Sequence, residues 1–476
     1  MLEKVFKLKE NNTTVKTEII AGLTTFMTMA YIIALNPNLL TGFGANGGTE
    51  LWNGVFLATC IASAIGMFVM AFAANKPFAM APGMGLNSFF AIVVANIVSL
   101  TGMTYVASFQ AALCIILIEG IVFIILSVLN VREKIVDAIP LGVRLGIAPA
   151  IGMMLMNIGL GSNAGVYSET GGPFYAMRDF FGSLTATLAK DTMGSGYTSM
   201  VLTVVTMFVG LFVIVVLAQK GVKAAVILGM LVASVINWAG QAIFLHTNPF
   251  ASLATASFVP PFKDMASTTL FKFNFSGFAE IGWFTVITLI VTFCIIDMFD
   301  TIGTLVGTAS RAGMLDKDGK MPKMKEALLA DAVGTVVGSA TGTSTVTTFV
   351  ESASGVEAGG RTGLTALTTG IVFLACMFIA PIAAIIPAAA TSSALIYVGV
   401  LMLTGLKNVH FDDLAESVPV ALMLIAMPVS GSIGHAIGIG LISYTVIKLF
   451  TGKAKDVSVL TYVLSVIFLI KFFLVA

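Results

Sequence analysis

Length, composition and charge show that lipid, rather than water, must surround most of this chain. Of its 476 residues, 57% are hydrophobic and 10% are charged, and the mean hydropathy is +1.00, which excludes an ordinary soluble protein. The formal net charge of +1 gives no long-range attraction for nucleic acid, so a nucleic-acid partner is not expected. The expected surroundings are the lipid bilayer.

The predicted elements are membrane-spanning helices, because apolar stretches of roughly 20 residues recur along the chain. In chain order, hydropathy predicts fourteen segments, near residues 17–36, 53–74, 83–98, 107–129, 135–158, 200–217, 222–245, 282–310, 324–340, 347–358, 363–386, 389–406, 412–430 and 433–449. A further apolar stretch at 457–476 is either an additional span or an interfacial helix. The predicted fold class is an all-α polytopic membrane protein.

Basic residues between the segments give the predicted orientation. With the amino terminus in the cytoplasm, they fall on one side of the membrane, as the positive-inside bias requires. These residues are Lys76, Arg132, Lys134, Lys220, Lys223, the run from Arg311 to Lys325, Arg361, Lys407, Lys453 and Lys455. Two long loops, 159–199 and 246–281, then lie outside. The other loops are short, which favours a bacterial host and an inner-membrane location.

Two of the predicted segments are poorly suited to a regular helix. The stretch from Lys76 to Ala95 contains prolines at 77 and 82 and glycines at 83 and 85, and the stretch from Thr341 to Gly360 is rich in Thr, Ser and Gly. Unwound backbone is tolerated at membrane depth only where protein buries it or where it lines a cavity. The breaks therefore predict a polar site, and their corresponding positions in the two halves are typical of an inverted-repeat transporter.

Three acidic residues in the second half form the strongest candidate site. Asp297 and Asp300 are three residues apart in one predicted segment, so they share a helix face. Glu351 lies in the second broken segment and would be their neighbour if the two segments pack together. Carboxylates this close at low dielectric cannot all be ionised, so we expect one to bind and release a proton. The alternative role is structural, as a helix cap or a partner of a threonine hydroxyl.

Asn87 is the polar candidate in the first broken segment. It follows two glycines that let the backbone approach a ligand, and its amide offers a donor and an acceptor together, which suits a nucleobase edge. A helix N-cap is the alternative role. The aromatic residues beside these polar positions, suited to stacking a planar ring, are Phe26, Phe89, Phe299 and Phe349. The four cysteines stand singly in apolar segments, so neither a metal site nor another cofactor is expected.

Four sequence motifs follow one another at the positions singled out above. They read AGLTTFMTMAYI at 21–32, PGMGLN at 82–87, DMFDTIGTL at 297–305 and GTSTVTTFVESASG at 342–355. With these motifs the chain resembles, over nearly its whole length, the AzgA-like purine permeases of the nucleobase:cation symporter-2 (nucleobase-ascorbate transporter) superfamily.

The resemblance implies fourteen segments arranged as a 7+7 inverted repeat, with short strands ahead of half-helices in segments 3 and 10. It also implies an elevator-type mechanism, in which a core domain carries the solute past a gate domain. The core would comprise residues 1–130 (segments 1–4) and 280–387 (segments 8–11), the gate residues 131–246 (segments 5–7) and 388–450 (segments 12–14), and the C-terminal apolar tail residues 451–476. Relatives of this fold often dimerise through the gate, so a homodimer is an expectation.

By the same resemblance, the protein would import purine nucleobases by proton symport, with hypoxanthine and guanine favoured and adenine a close second. The implied substrate-binding residues are Thr25, Phe26, Asn87, Asp297, Asp300, Thr348, Phe349 and Glu351. The implied proton-coupling residues are Asp297, Asp300 and Glu351. Asp300 stands where uracil and xanthine relatives have Glu, and Thr304 stands where some relatives have His, which leaves the proton route open.

Two other functions fit parts of the pattern. A transporter of anions or of other nucleobases with the same fold is the main alternative, although an anion site needs positive charge and this one is acidic. A membrane-embedded hydrolase is more remote. Aspartyl hydrolysis needs acids from two helices, and Asp297 and Asp300 share one helix, so only Asp297 with Glu351 could imitate such a pair. An enzyme is therefore not expected.

Overall fold

The computed structural model of the protein is built almost entirely of helices. It describes residues 2–42, 46–129, 140–163, 196–311, 314, 321–430 and 433–474. Among these residues, nine helices are long and apolar enough to cross a membrane, and shorter apolar helices lie at 283–298, 414–430, 434–450 and 459–470. The chain is therefore a multi-pass membrane protein.

The first half of the chain contains a strand within a series of helices. In chain order these are α1 (Leu2–Phe6), α2 (Val15–Met29), α3 (Ile32–Leu40), α4 (Gly48–Val69), β1 (Met80–Pro82), α5 (Met84–Thr101), α6 (Tyr105–Val128), α7 (Leu141–Ile158), α8 (Gly196–Gln219) and α9 (Ala225–Phe244). Short π-helical turns extend α4 and α7. The start of the predicted segment 135–158 and most of the loop 159–199 lie outside the described residues.

The second half repeats the order of helices around a second strand. Its elements are α10 (Phe262–Thr268), α11 (Gly277–Ile281), α12 (Trp283–Arg311), α13 (Met324–Thr341), β2 (Val346–Thr348), α14 (Ser352–Glu357), α15 (Gly363–Ala375), α16 (Ala380–Ala384), α17 (Ala388–Met402), α18 (Leu414–Ser430), α19 (Ile433–Phe450) and α20 (Val459–Leu474). The stretch expected to be a plain loop at 246–281 thus contains α10 and α11.

The first predicted span, 17–36, lies within one candidate membrane span, Val15–Leu40, which is interrupted briefly between two helices. Helix α2 ends at Met29 and α3 begins at Ile32, so Tyr31 lies at the break. Pro37 sits inside α3, where it has no N–H to offer the preceding turn. Hydropathy does not detect this break, because the apolar character of the sequence continues across it.

Two groups of helices account for the main packing contacts. In the first group, α4 and α6 pack against α13, α2 and α4 pack against α15, and α3 packs against α4. Helix α12 joins this group through α6 and β2. In the second group, α7 packs against α17 and α18, α8 packs against α9 and α17, and α18 packs against α19. The C-terminal helix α20 lies along α19, where the hydroxyls of Thr445 and Ser465 are 2.9 Å apart.

Glu18 joins α2 to the start of α15 inside the first group. Its buried carboxylate accepts hydrogen bonds from the backbone N–H of Arg361 at 2.8 Å and of Thr362 at 3.2 Å. The hydroxyl of Thr365 donates to the same carboxylate at 2.7 Å. These donors include the otherwise unsatisfied N–H groups at a helix start, where a negative charge is also favoured.

Two basic loops meet at one end of the first group. The Lys323 ammonium lies 3.5 Å from the main-chain carbonyl of Ala73, which it contacts as a donor. Burial and the neighbouring Lys323 together lower the pKa of Lys76. The sequence pattern predicts that Lys76 and Lys323 lie on the same side of the membrane, and in the structure these two residues lie close together.

Candidate functional site

Two short strands meet where the sequence predicts broken segments. Strands β1 and β2 pair in antiparallel orientation with Ala81 opposite Thr347. Beside them, the Gly83 N–H donates to the Thr345 carbonyl at 3.2 Å. Each unwound segment therefore satisfies the backbone groups of the other, as hydrocarbon surroundings require. Helices α5 and α14 begin soon after the strands, so the predicted strands ahead of half-helices are confirmed.

A cavity of about 60 Å³ lies where the strands end. The side chains that line it from the first helix group include Tyr31, Asp300, Thr304, Thr348, Phe349 and Glu351. Val398 and Met402 of α17 close the opposite side, so the cavity lies on the boundary between the two helix groups. The start of α5 reaches the cavity at Met84, which places the positive end of that helix beside it.

Tyr31 is a lining residue that the sequence argument missed. Its hydroxyl donates to Glu351 Oε1 at 2.7 Å, across the break between α2 and α3. This charge-assisted bond holds the carboxylate at the cavity wall. Tyr31 belongs to the motif at 21–32, but hydropathy places it within a continuous helix, so only the break reveals that it lines a site.

Asp300 approaches the cavity beside Gly83. A Cβ atom on Gly83 would lie 2.6 Å from Thr347 Cγ2 and 3.4 Å from Asp300 Oδ2, so a residue with a side chain would displace the strand. Thr304, one turn beyond Asp300, donates its hydroxyl to the Asp300 main-chain carbonyl at 2.8 Å. The glycine at 83 thus allows the strand pair and the carboxylate to occupy adjacent positions.

Thr348 lines the cavity next to Phe349. The side chain is only 1% exposed, and no hydrogen-bond partner for its Oγ1 is found among the described residues. A buried hydroxyl left unpaired costs roughly 1–3 kcal/mol, so this one is available to a further hydrogen-bond partner.

Asp297 lies one layer behind the cavity, in a network centred on Thr301. The Thr301 hydroxyl is 3.1 Å from Asp297 Oδ1, 2.8 Å from Asp331 Oδ1 and 2.8 Å from Thr347 Oγ1. All four side chains are buried, and Thr347 also lines the cavity. One hydroxyl carries one proton, so it can donate to only one of the two aspartates. The other contact becomes a hydrogen bond when that aspartate is protonated and donates to Thr301.

Asn87 belongs to a second buried network and does not line the cavity. Its amide donates to Asn36 Oδ1 at 2.6 Å, and the Ser344 hydroxyl donates to its Oδ1. The N-cap role considered for Asn87 is wrong, because α5 begins at Met84 with Gly83 as its cap. The network fixes α5 to the chain that leads into β2.

Thr25 and Phe26 do not line the cavity between the strand ends. Thr25 is buried and donates its hydroxyl to the Ala21 carbonyl in its own helix at 3.1 Å. The Phe26 ring packs edge-on against Phe373, with centroids 5.6 Å apart.

The aromatic residues considered for stacking lie in different places. Phe349 lines the cavity. Phe89 instead packs against Phe293, with ring centroids 4.7 Å apart. The side chain of Phe299 lies outside the described ones. Among the three rings that the structure describes, Phe349 is the one that lines this cavity.

The chain matches a known family over most of its length. Residues 16–437 match the model described as Permease family, Xan_ur_permease. The chain belongs to this permease family. Because the family is one of transporters, this permease is not an enzyme, and the membrane-embedded hydrolase considered above is excluded.

Two relatives are similar to the permease along their whole lengths. The adenine permease AdeP of Escherichia coli (strain K12) is 37% identical over 471 residues, which cover 99% of this chain and 96% of AdeP. The guanine/hypoxanthine permease PbuO of Bacillus subtilis (strain 168) is 37% identical over 473 residues, which cover 99% of this chain and 100% of PbuO. The family resemblance carried by the four motifs is thus confirmed.

A solved structure shares the fold of the permease. The transmembrane domain of the cyanobacterial bicarbonate transporter BicA superimposes with a TM-score of 0.58 over 90% of this chain and 97% of the BicA chain, at 17% sequence identity. Identity this low shows the fold alone. The predicted fold class, a 7+7 inverted repeat with short strands ahead of half-helices, is confirmed.

Proposed function

We propose that this permease transports purine nucleobases. Its relatives AdeP and PbuO are named for adenine and for guanine and hypoxanthine, and the chain is 37% identical to each. The equal identity supports the purine class and favours no single base. The observation that carries the proposal is the cavity at the strand ends, where two carboxyl groups, a hydroxyl and an aromatic ring meet.

The groups that line the cavity suit the chemistry of a purine. The carboxylates of Asp300 and Glu351 can accept hydrogen bonds from N–H groups of the base, and a protonated carboxyl can donate to a ring nitrogen. The Thr348 hydroxyl offers a donor and an acceptor, and the Phe349 ring offers a face for stacking. A base that left one of these buried groups unpaired would bind more weakly, which provides selectivity.

Three residues that the family resemblance implies for binding, Thr25, Phe26 and Asn87, do not line the cavity and have a positioning role in this proposal. Asn87 holds α5 against the chain before β2 through the Ser344 hydroxyl. Thr25 lies against Gly355, where a side chain would collide with its hydroxyl, and so fixes α2 beside α14. Phe26 packs within the same helix group. These residues would keep Asp300 and Glu351 in position rather than touch the base.

Proton symport through Asp300, Glu351 and Asp297 is the second part of the proposal. The Thr301 hydroxyl satisfies its contacts to Asp297 and Asp331 together only if that pair carries a proton. Thr301 follows Asp300 in α12 and contacts Thr347 at the cavity wall. Loss of the proton would therefore rearrange hydrogen bonds directly beside the bound base, which couples the two ligands.

Elevator-type movement is the third part, with residues 1–130 and 280–387 as the core and residues 131–246 and 388–450 as the gate. The cavity lies between these bodies and is closed by Val398 and Met402. A cavity of about 150 Å³ accommodates benzene, so one of about 60 Å³ is too small for a bicyclic purine. Binding therefore requires the strand ends and α17 to separate, as movement of the core past the gate would achieve.

We place the permease in the inner membrane, with its amino terminus in the cytoplasm, and assign it to import. The positive-inside bias supports this orientation. Lys76 and Lys323 lie close together at one end of the core. Their proximity supports the orientation further, because basic residues from two distant loops then lie on the same side of the membrane.

An anion substrate is disfavoured, although the fold is shared with a bicarbonate transporter. The cavity is lined by Asp300 and Glu351, and no Lys or Arg is among the residues that line it in the described part of the chain. Carboxylates repel an anion unless they are protonated, and a neutral base meets no such penalty.

Uptake into proteoliposomes tests the proposed function. Purified permease should accumulate radiolabelled hypoxanthine or adenine when an inward proton gradient is applied, and unlabelled purines should compete while uracil and bicarbonate should not. Glu351→Gln and Asp300→Asn should lower uptake on the order of tenfold or more, because a lost hydrogen bond to a charged group costs roughly 1.5–3 kcal/mol. Glu357→Gln, at an exposed position of α14, is the matched control. Uptake that uracil or bicarbonate blocks would overturn the assignment.

A further inference from the structure

A second and larger cavity lies between α9 and the helices of the proposed core. Its volume is about 360 Å³. Helix α9 contributes Ile227, Met230, Leu231 and Ser234, and α2 and α3 contribute Phe26, Tyr31, Ile33 and Ala34. The remaining wall is formed by α15, α16 and the turn between them, and includes Cys376, Ile382 and Ala383.

The polar groups in this wall are already engaged. The Ser234 hydroxyl donates to the Met230 carbonyl at 2.8 Å within its own helix. The Tyr31 hydroxyl donates to Glu351 on the side of the smaller cavity. The wall therefore offers apolar surface to an occupant. An apolar cavity of about 150 Å³ stays dry and takes up benzene, and this one is more than twice as large.

The cavity is continuous with the surface that faces the bilayer. Three residues of its wall are exposed: Leu231 by 47%, Ile379 by 37% and Ile382 by 45%. Two others, Met230 and Ala383, are 3% exposed and lie deeper. In a multi-pass membrane protein, large apolar side chains with this exposure contact lipid, so an acyl chain can enter between the exposed residues and reach the buried ones.

We propose that the acyl chain of a membrane phospholipid binds in this cavity, between α9 and the helices α2, α3, α15 and α16. Van der Waals contacts with Ile, Met and Phe side chains supply the affinity, because the acyl chain comes from hydrocarbon rather than from water. The bound chain would lie against the Tyr31 ring, whose hydroxyl reaches Glu351 on the side of the smaller cavity. It would thus fill the space between two helix groups. Its binding does not depend on the solute.

Photolabelling of the wild-type permease tests this site directly. The probe is a phosphatidylcholine with a diazirine midway along one acyl chain, mixed into vesicles of phosphatidylethanolamine and phosphatidylglycerol. After irradiation and digestion, mass spectrometry should find adducts at the buried Met230 and Ala383 at a yield within about threefold of that at a lipid-facing residue such as Ile371. Adducts confined to exposed residues would overturn the proposal.

A matched pair of substitutions supplies the control. Ala383→Leu places extra carbon atoms in the cavity, whereas Ala384→Leu adds them at the exposed neighbouring position. The adduct at Met230 should fall at least fivefold in Ala383→Leu and stay unchanged in Ala384→Leu. Equal labelling in both variants would contradict the proposal.

Water is the competing occupant, and Cys376 distinguishes it from lipid. In a variant with Cys60→Ala, Cys114→Ala and Cys294→Ala, Cys376 is the only cysteine left. A charged methanethiosulfonate should leave it unmodified in vesicles, because an acyl chain excludes the reagent. Rapid modification would show a hydrated cavity and would overturn the assignment.

Discussion

At the scale of single residues, the carboxylates of this permease are held by neighbours from other elements. Tyr31 in the break of the first segment binds Glu351 before α14, and Gly83 after β1 leaves space for Asp300 in α12. Each charge thus depends on contacts between segments that lie far apart in sequence. Conservative changes in the neighbours should therefore alter transport without removing a carboxylate.

Tyr31→Phe tests the hydrogen bond to Glu351. Loss of the phenol hydroxyl removes the bond that holds the Glu351 carboxylate at the cavity wall. Purine uptake should then fall on the order of tenfold, because a hydrogen bond to a charged group is worth roughly 1.5–3 kcal/mol. Initial uptake rates in proteoliposomes check this. Tyr105→Phe removes a hydroxyl that donates to the Leu40 carbonyl, and it should leave uptake unchanged.

Thr301→Val tests the network behind the cavity. Valine keeps the shape of the side chain but cannot join Asp297, Asp331 and Thr347. Accumulation driven by a proton gradient should fall several-fold, while exchange of labelled for unlabelled purine without a gradient should persist. Thr292→Val, whose hydroxyl donates only within its own helix to Thr288, is the control. Loss of exchange together with accumulation would assign Thr301 to binding or folding instead.

Sequence reasoning identified part of this site. Acidic residues and broken segments mark polar sites in membranes, and this pattern predicted a site here. The predicted residues that line the cavity are Asp300, Thr348, Phe349 and Glu351. Tyr31 escaped notice, since the break that turns it toward Glu351 has no polar signal. Nor could spacing show that the carboxylates of Asp297 and Asp300 occupy different layers, because that depends on how β2 packs against α12.

At the scale of elements, the strand pair determines where the site forms. Pro and Gly in one segment and Thr-rich sequence in the other predict broken helices, but they do not predict pairing between them. Pairing depends on contacts between residues distant along the chain, and the strands were expected only through the family resemblance. The structure shows the register, with Ala81 opposite Thr347.

Gly83→Ala tests the close approach at the strand pair. The added methyl would meet Thr347 Cγ2 at 2.6 Å, so the Thr347 side chain or β2 itself must shift at the cavity wall. Purine uptake should fall at least tenfold while the protein remains monodisperse. Gly66→Ala is the matched control, since its methyl would make only ordinary contacts, at 3.4 Å to Val346 and 3.6 Å to Met80. Equal uptake by both variants would contradict this role of Gly83.

Glu18→Gln tests the link between α2 and α15. The carboxylate accepts from Arg361, Thr362 and Thr365, and an amide would place N–H groups against some of these donors. The loss should be roughly 1–3 kcal/mol of stability, visible as a lower melting temperature in detergent. Glu10→Gln, which loses only a surface ion pair with Lys7, should melt like the wild type.

At the scale of the whole molecule, the two helix groups and the cavity between them suit a carrier. The spacing of broken segments predicted the inverted repeat, because the two halves carry their breaks at matching places. The same pattern could not predict that Phe349 of one group and Val398 and Met402 of the other line one cavity, because that depends on the conformation of the whole chain.

We propose that a purine and a proton enter together in one transport event of this permease. Purines are largely neutral near pH 7, so current evoked by a purine reports the proton. Solid-supported membrane electrophysiology on proteoliposomes should show inward positive charge movement when hypoxanthine or adenine is added, and Glu351→Gln should abolish it. Purine uptake that produces no charge movement at any pH, with or without a membrane potential, would contradict proton coupling.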